Sequence, residues 1–287
     1  MRRIVFFGKG GVGKTTTSVN ISILFHRDGK AVLQIGCDPK HDSTMAHAAQ
    51  TEVGTVMEAF VKQRNTLRLA DLRRLIVKGR TGVHCLEIGG PIPGKGCAGR
   101  AVSFVLNFIR EDKDFFKRFD VVVFDVLGDI VCGGFAAPIQ DPERTDVYIV
   151  VSGELMSLFA ANNIARGIRN LAPRSGARLA GVIGNMKNSF FPSGIIADFA
   201  KKLGTRVVGI IPGDDQVVLA EISEKAVVDM APRSAAAAAL AQVYRRIVAT
   251  KDRDRVVPTP MDDAALKALY FKTLRSADHG SAAAKPI

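Results

Sequence analysis

Ile4-Val5-Phe6-Phe7-Gly8-Lys9-Gly10-Gly11-Val12-Gly13-Lys14-Thr15 decides the fold. The apolar run reads as a strand covered on both faces. Gly8 to Thr15 fits G-x-x-x-x-G-K-[ST], the phosphate-binding loop. Its glycines let backbone N–H groups turn inward around phosphate oxygens, Lys14 reaches the β- and γ-phosphates, and the Thr15 hydroxyl binds Mg²⁺. A helical pattern from about Thr15 to Arg27 points its positive end at the same anion. Gly10, Gly11, Val12, Gly13, Lys14, Thr15 and Thr16 are therefore the expected MgATP contacts.

Two further stretches belong beside this loop. Val121 to Phe135 reads VVVFDVLGDIVCGGF: an apolar run ends in Asp125, followed by Asp129 and by Cys132 with Gly133-Gly134 behind it. A carboxylate at the C-terminal end of a strand sits where open α/β sheets bind ligands. One short loop thus joins a Mg²⁺–nucleotide site to a cysteine, so nucleotide chemistry at Asp125 and Asp129 is expected to control whatever Cys132 holds. Ala31 to Ile35 reads as the second strand and leads into GCDPKHDST, Gly36 to Thr44. Asp38 and Asp42 then reach the metal side, one orienting water and the other supporting the metal's water shell. Lys40 serves phosphate or a cross-subunit contact. His41 reads as a loop histidine and Cys37 as a buried thiol.

The chain of 287 residues suits one large α/β domain or two small ones, and a 47% hydrophobic fraction fills a sizeable core. No stretch is apolar for long enough to span a bilayer, and Met1-Arg2-Arg3-Ile4 enters a strand directly, which is read as cytoplasmic. The net charge is +12, but the basic residues are dispersed in pairs such as Arg73-Arg74 and Lys201-Lys202. With no Trp and only 3 Tyr there is no interleaving of aromatic and basic residues, so neither nucleic acid nor membrane is expected as a partner. The 4 cysteines, Cys37, Cys85, Cys97 and Cys132, form no C-x-x-C pair. They are buried thiols, metal ligands or nucleophiles rather than disulfides.

Cys97 lies in GGPIPGKGCAGR, Gly89 to Arg100, just before a helical pattern running from about Ala101 to Arg110. A helix N-terminus favours thiolate and offers N–H donors to cluster sulfides. Cys132 has similar glycine surroundings. Taken singly, each reads better as a buried, unreactive thiol. Taken together they are half of a four-thiolate site, which a two-fold dimer would complete for a 4Fe–4S cluster on its axis. Elsewhere, Thr55 to Val77 reads as helical and peripheral, with Leu67, Leu69, Leu72 and Leu75 as packing residues. Strands are expected at Val83–Ile88 (Cys85 in the core), Val147–Val151, Leu179–Ile183 and Arg206–Ile211, and helices at Leu155–Leu171 and Ser234–Ala249. Met261 to Leu274 is amphipathic; burial against a dimer partner is expected, with a membrane-targeting helix as the alternative. Residues 1–275 read as one domain and 276–287 as a disordered tail.

GKGGVGKTTT, GCDPKHDST, GGPIPGKGCAGR, FDVLGDIVCGGFAAPI and SGELMSLFAANNI together resemble the nitrogenase iron protein family, over about Arg2 to Val248. GKGGVGKT alone resembles the wider group of dimeric ATPases with a deviant Walker A loop, which includes partition, septum-site and arsenite pump ATPases. The resemblance implies an α/β P-loop NTPase fold with a mostly parallel, doubly wound sheet flanked by helices. It implies a homodimer that binds MgATP or MgADP in each subunit and one bridging 4Fe–4S cluster, held by Cys97 and Cys132. Electrons would pass from a ferredoxin or flavodoxin, through the cluster, to a larger catalytic component. Lys9 would reach across the dimer to the partner's nucleotide, Asp38 and Asp129 would position the attacking water with Asp129 as base, and Asp125 and Asp42 would organise Mg²⁺ through waters. Asn185 would contact adenine, Asp214 the base, and Glu221 the ribose. Arg100 matches an arginine near the docking surface that is ADP-ribosylated in some members.

There are departures: Gly213 stands where arginine is expected, Val218 where glutamine is, and Leu240 where tyrosine is. GCDPKHDST and GGFAAP resemble the protochlorophyllide and chlorophyllide reductase branch, whereas GCAGR and SGELMSLFAANNI resemble the nitrogenase branch. This mixture points to a nitrogenase-like system outside both, methylthio-alkane reductase. The rival class is an iron-free partition- or septum-type ATPase, which gives no reason for two glycine-flanked cysteines. A cluster-assembly carrier would carry a C-x-x-C pair.

Overall fold

Runs such as Ile4–Phe7 and Val121–Phe124 have no polar face to turn to water, so strands built from them need cover on both sides. The computed structural model describes residues 1–287 apart from 49–52, 64–65, 91–96, 113, 129–135, 141, 188–189 and 282–287. It meets that need with an 8-stranded sheet between two layers of helices. In chain order the first half runs β1 (Arg2–Phe7), α1 (Lys14–Arg27), β2 (Val32–Cys37), α2 (Val56–Lys62), α3 (Leu69–Arg74), β3 (Val77–Lys78), β4 (His84–Glu87), α4 (Ala98–Glu111) and β5 (Val121–Val126). The second half runs β6 (Thr145–Val151), α5 (Leu155–Leu171), β7 (Ala177–Met186), α6 (Gly194–Lys202), β8 (Val207–Pro212), α7 (Asp215–Ile222), α8 (Val227–Met230), α9 (Ala235–Val248) and α10 (Asp263–Ser281).

The strand order is β3-β4-β2-β5-β1-β6-β7-β8, and every pairing is parallel except β3 with β4. This is the doubly wound architecture expected from the sequence. Side chains alternate across each strand. Val5 and Phe7 face a core completed by α4, α5, α6 and α10, through Val105, Leu158, Phe199 and Leu266. Ile4 and Phe6 face the opposite core, where α1 and α9 contribute Ile21, Val243 and Leu240. Leu240, one of the departures noted above, is thus a core residue.

Register decides where the chemistry sits. Asp125 on β5 stands opposite Phe6 on β1 and Gly36 on β2. The C-terminal ends of these three strands therefore lie side by side, and each feeds one of the motif loops.

Two expectations are corrected. Thr55 to Val77 is not one helical stretch. The Thr55 side chain accepts from Glu58 N at 3.1 Å while Glu58 Oε2 accepts from Thr55 N at 3.3 Å, a capping box that starts α2. The chain then forms α3, buries Leu72 and enters β3, where Val77 pairs with Cys85. The amphipathic C-terminal helix needs no second subunit to cover it. Leu266 and Tyr270 of α10 are buried in the core that α5 and α6 share, Thr273 Oγ1 donates to Asp198 Oδ2 at 2.8 Å, and Asn162 exchanges two hydrogen bonds with the backbone of Met261. This helix spans Asp263–Ser281, and of the expected tail, 276–287, residues 282–287 lie outside the described ones. Among the described residues no helix is long and apolar enough to cross a membrane.

The C-terminal segment is tied to the far end of the sheet by one buried carboxylate. Asp146 on β6 accepts from Arg2 Nη2 and from Arg255 Nη2, each at 2.9 Å, and next to Arg255, Val256 bridges to Leu179 on β7. Removing one member of a buried ion-paired set costs about 3 kcal/mol, because the rest stay desolvated. Asp146→Ala is expected to lower the unfolding free energy by about that amount in urea titration; a loss within error of zero would show that the clamp adds nothing.

Candidate functional site

The phosphate loop is shaped by close approach. Gly13 caps α1 with φ 96°, and a Cβ there would lie 2.1 Å from Asn185 Nδ2. At Gly8, φ 149°, a Cβ would lie 2.3 Å from the Val150 carbonyl oxygen. The loop is therefore seated against the ends of β6 and β7 and takes no side chain at either point. Lys14 is buried, and its Nζ donates to the Lys9 carbonyl at 3.2 Å, folded over the loop it serves.

Asp125 is the junction. Its Oδ2 accepts from Thr15 Oγ1 at 2.7 Å and from Ser43 Oγ at 2.7 Å. The residue expected to bind Mg²⁺, the segment expected to sense the nucleotide and the strand-end carboxylate thus meet at one oxygen atom. The other oxygen, Oδ1, is buried without a partner among the described residues. Burial pushes this carboxyl above the ordinary range, against the pull of the Thr15 and Ser43 hydrogen bonds and the Lys14 charge. A bare acceptor of this kind, 4% exposed and beside a phosphate loop, suits a cation's water shell.

A second buried acid stands behind it. Glu87, at the end of β4, is fully buried; its Oε1 accepts from both the N–H and the hydroxyl of Thr44 at 2.8 Å, and its Oε2 has no partner among the described residues. Burial, with the charges of Asp125 and Asp42 adding to it, pushes this carboxyl up to about 8, against the pull of the Thr44 hydrogen bonds. Oε2 presses on the backbone of Gly36, where a Cβ would lie 1.8 Å away. Neither Ser43 nor Glu87 was singled out from the sequence. The available signal was an acid inside the otherwise apolar strand run Val83–Ile88.

A cavity of about 380 Å³ opens over these groups. Gly10, Gly11, Gly13, Lys14, Thr15 and Thr16 line it from the loop, Asp38, Lys40 and Asp42 from the segment after β2, and Asp125 from β5. Glu221 lines it from α7, with Lys187 and Glu224 as members that sequence reasoning missed. Lys9, Val12 and Asn185 line a smaller neighbouring pocket instead. Lys9 Nζ is 3.7 Å from Glu154 Oε2 of its own chain, and Asn185 Nδ2 donates to the Val12 carbonyl at 2.8 Å. Asp214 lines neither. It caps α7 through Gln216 N and also accepts from Ala236 N on α9, each at 2.9 Å, and these backbone hydrogen bonds hold its carboxyl below the usual range. That capping role was missed as well. Gly213 adjoins the Met186 and Lys187 carbonyls, and Val218 is exposed on α7.

Cys97 occupies the N-cap position of α4 and is exposed, with Arg100 in the first turn and also exposed. Cys37 and Cys85 are buried, and burial pushes both thiols up, Cys85 to about 12. Among the described cysteines, Cys97 alone has the surroundings of a thiolate ligand. Asp129 and Cys132 lie outside the described residues.

Known proteins place this arrangement. A family model described as 4Fe-4S iron sulfur cluster binding proteins, NifH/frxC family, matches residues 2–275. The "Nitrogenase iron protein 2" of Methanothermococcus thermolithotrophicus is 36% identical over 286 residues, covering 95% of this chain and 96% of its own. Among solved structures, the MinD cell division protein of Aquifex aeolicus superposes with TM-score 0.64 at 20% identity over 87% of this chain and 98% of its own. The cell division ATPase MinD of Pyrococcus furiosus gives TM-score 0.65 at 18% identity over 88% and 100%. At such identities these likenesses speak for the fold alone.

The Glu87 carboxyl makes stability pH-dependent. A carboxyl at about 8 in the folded chain, against an ordinary value of 4.5, holds its proton longer folded than unfolded. Its contribution is complete below the unfolded value and is lost as pH rises toward 8. Metal-free protein is expected to lose stability from pH 5 to pH 8, by up to a few kcal/mol from this group, and Glu87→Gln is expected to flatten that slope. Parallel slopes in urea titrations of the two proteins would contradict the assignment.

Proposed function

The chain belongs to the NifH/frxC family of 4Fe-4S iron–sulfur cluster binding proteins, and from that premise we propose a division of labour among its residues and a catalytic partner. The family binds MgATP and a 4Fe–4S cluster that bridges a dimer, and the chain is an ATP-dependent reductase component of nitrogenase-like type. The observation that carries the reading is the contact of Thr15 and Ser43 on Asp125 Oδ2, because Asp129 and Cys132 follow β5 closely in sequence.

Lys14 and the loop N–H groups neutralise and orient the phosphates. Thr15 would give its hydroxyl oxygen to Mg²⁺, while Asp42 and the open Oδ1 of Asp125 would hold the cation's waters. Mg²⁺, when bound, would supply positive charge to the phosphate oxygens. Asp38 and Asp129 orient the attacking water, and Asp129 takes its proton. Lys9 exchanges its ion pair with Glu154 for the nucleotide of the opposite subunit. Asn185 and Glu221 face the nucleoside, and Asp214 supports that side by fixing α7 to α9.

Cys97 and Cys132 of each subunit hold the cluster, which when bound stores and releases one electron. Cys97, Arg100 and Phe104 fall at helical spacing along α4, and all three are exposed. A thiolate, a cation and an aromatic ring on one stripe suit a surface that presents the cluster to a larger protein. Arg100 is also the candidate for ADP-ribosylation. A ferredoxin or flavodoxin supplies the electrons. The mixture of motifs and the altered positions Gly213, Val218 and Leu240 support methylthio-alkane reductase as the catalytic component, rather than nitrogenase or the pigment reductases. Residues 1–275 act as one domain.

In anaerobic preparations Cys132→Ser and Cys97→Ser are each expected to lose the iron and the brown absorption while keeping ADP binding; unchanged iron content would refute the ligand assignment. Asp129→Ala is expected to keep iron and nucleotide yet fail in coupled electron delivery. Mixed with each candidate component, ATP and dithionite, the protein is expected to support methylthio-alkane reduction, and turnover only with nitrogenase or a pigment reductase would overturn the partner assignment.

A further inference from the structure

Gln34 lies in the middle of β2 between Leu33 and Ile35, and all three are fully buried. An amide in that position costs stability unless each of its polar atoms is bonded. Its Nε2 donates to the Ser43 carbonyl at 2.9 Å and to Ser43 Oγ at 3.1 Å. Its Oε1 lies 3.0 Å from Nε2 of His47, itself fully buried, and His47 Nδ1 lies 2.7 Å from Thr81 Oγ1.

The directions of these bonds follow from what each atom is able to do. Gln34 Oε1 only accepts, so His47 Nε2 carries the hydrogen and donates. His47 Nδ1 is then bare and accepts from the Thr81 hydroxyl. Burial, aided by the Arg80 charge, pushes the imidazole down to about 3, so it stays neutral. Every donor in the series therefore points the same way, from Thr81 through His47, Gln34 and Ser43 to Asp125 Oδ2, and bonds aligned in series polarise one another. The outer end is also pinned: Arg80 N donates to the His47 carbonyl at 2.7 Å, and the Arg80 side chain reaches the carbonyl of Glu224, a residue of the cavity wall. Neither Gln34 nor His47 lines the cavity, so their polar groups serve Ser43 and not a ligand.

We propose that Gln34 and His47 are positioning residues for the metal end of the nucleotide site: they fix the Ser43 hydroxyl on Asp125 Oδ2 and so keep Oδ1 turned to the cation's waters. This rests on the MgATP reading given above. It adds a support, reaching from Asp125 back to the loop at Thr81, that is separate from every group touching phosphate.

The test reads metal affinity apart from nucleotide affinity. ADP binding is measured in EDTA, and Mn²⁺ is then titrated into the ADP-loaded protein, with free Mn²⁺ followed by EPR. His47→Leu keeps the bulk and removes both nitrogens. It is expected to weaken Mn²⁺ binding about tenfold while metal-free ADP binding stays at the wild-type level. His47→Gln, which restores a donor to Gln34, is expected to recover most of the loss, and Thr81→Val, at the loop end, to show a smaller shift in the same direction. Wild-type Mn²⁺ affinity in His47→Leu would overturn the proposal, as would equal losses of ADP and Mn²⁺ binding there. If His47→Leu does not fold, Thr81→Val with unchanged Mn²⁺ affinity overturns it. A wild-type chain that bound no ADP would sink the functional reading itself, a result distinct from either.

Discussion

Asp125 Oδ2 accepts two hydrogen bonds of 2.7 Å, one from the phosphate loop and one from the segment after β2. Those two bonds hold three strand ends in one arrangement. Hydrogen bonds to an ionised group contribute about 1.5–3 kcal/mol each, enough to offset part of the cost of burying the carboxylate but not all of it. The remaining cost shows in the raised position of its proton equilibrium and in the unpartnered Oδ1. On the reading proposed above, a divalent cation beside Oδ1 would remove that cost, and its presence would be felt by both segments that share Oδ2.

Glu87 extends the same logic. It sits behind Thr44 as Asp125 sits behind Ser43, so adjacent residues of one segment are each held by a buried acid from a neighbouring strand. Burial raises the Glu87 carboxyl, and the charges of Asp125 and Asp42 add to it. On the proposed reading, a cation that neutralised those two charges would lower it again and so act on the grip on Thr44 without touching Glu87. Such a segment, held at two points whose strength depends on the ligand, is the kind of element that nucleotide-hydrolysing proteins use to pass a phosphate signal outward.

Much of this was legible in the residues. The apolar run before Gly8 and the one before Asp125 identify strands because a chain buried on both faces has nothing polar to show, and the loop motif fixes what lies between β1 and α1. Leu155–Leu171 was read with the bounds that the structure gives it. What escaped has physical reasons. The leucine periodicity of Thr55 to Val77 hid a capping box and a break, because a periodic pattern does not report where the chain turns. The jobs of Glu87 and Gln34 depend on strand register and on how the segment after β2 folds back over it, and the second bond of Asp214 depends on the approach of α9 to α7, none of which local spacing encodes. The apolar face of α10 was visible, but its cover by α5 and α6 was not.

The central claim is that occupancy at Asp125 is felt by the cluster proposed to be held by Cys97 and Cys132, the latter shortly after β5 in sequence. The reduction potential of the 4Fe–4S cluster in anaerobic protein, measured without nucleotide, with ADP in EDTA, and with MgADP or MgATP, tests it most directly. The account predicts that the potential moves on addition of the magnesium complexes and moves much less with ADP in EDTA, because only the cation engages Asp125. A potential that is the same in all four conditions would contradict it.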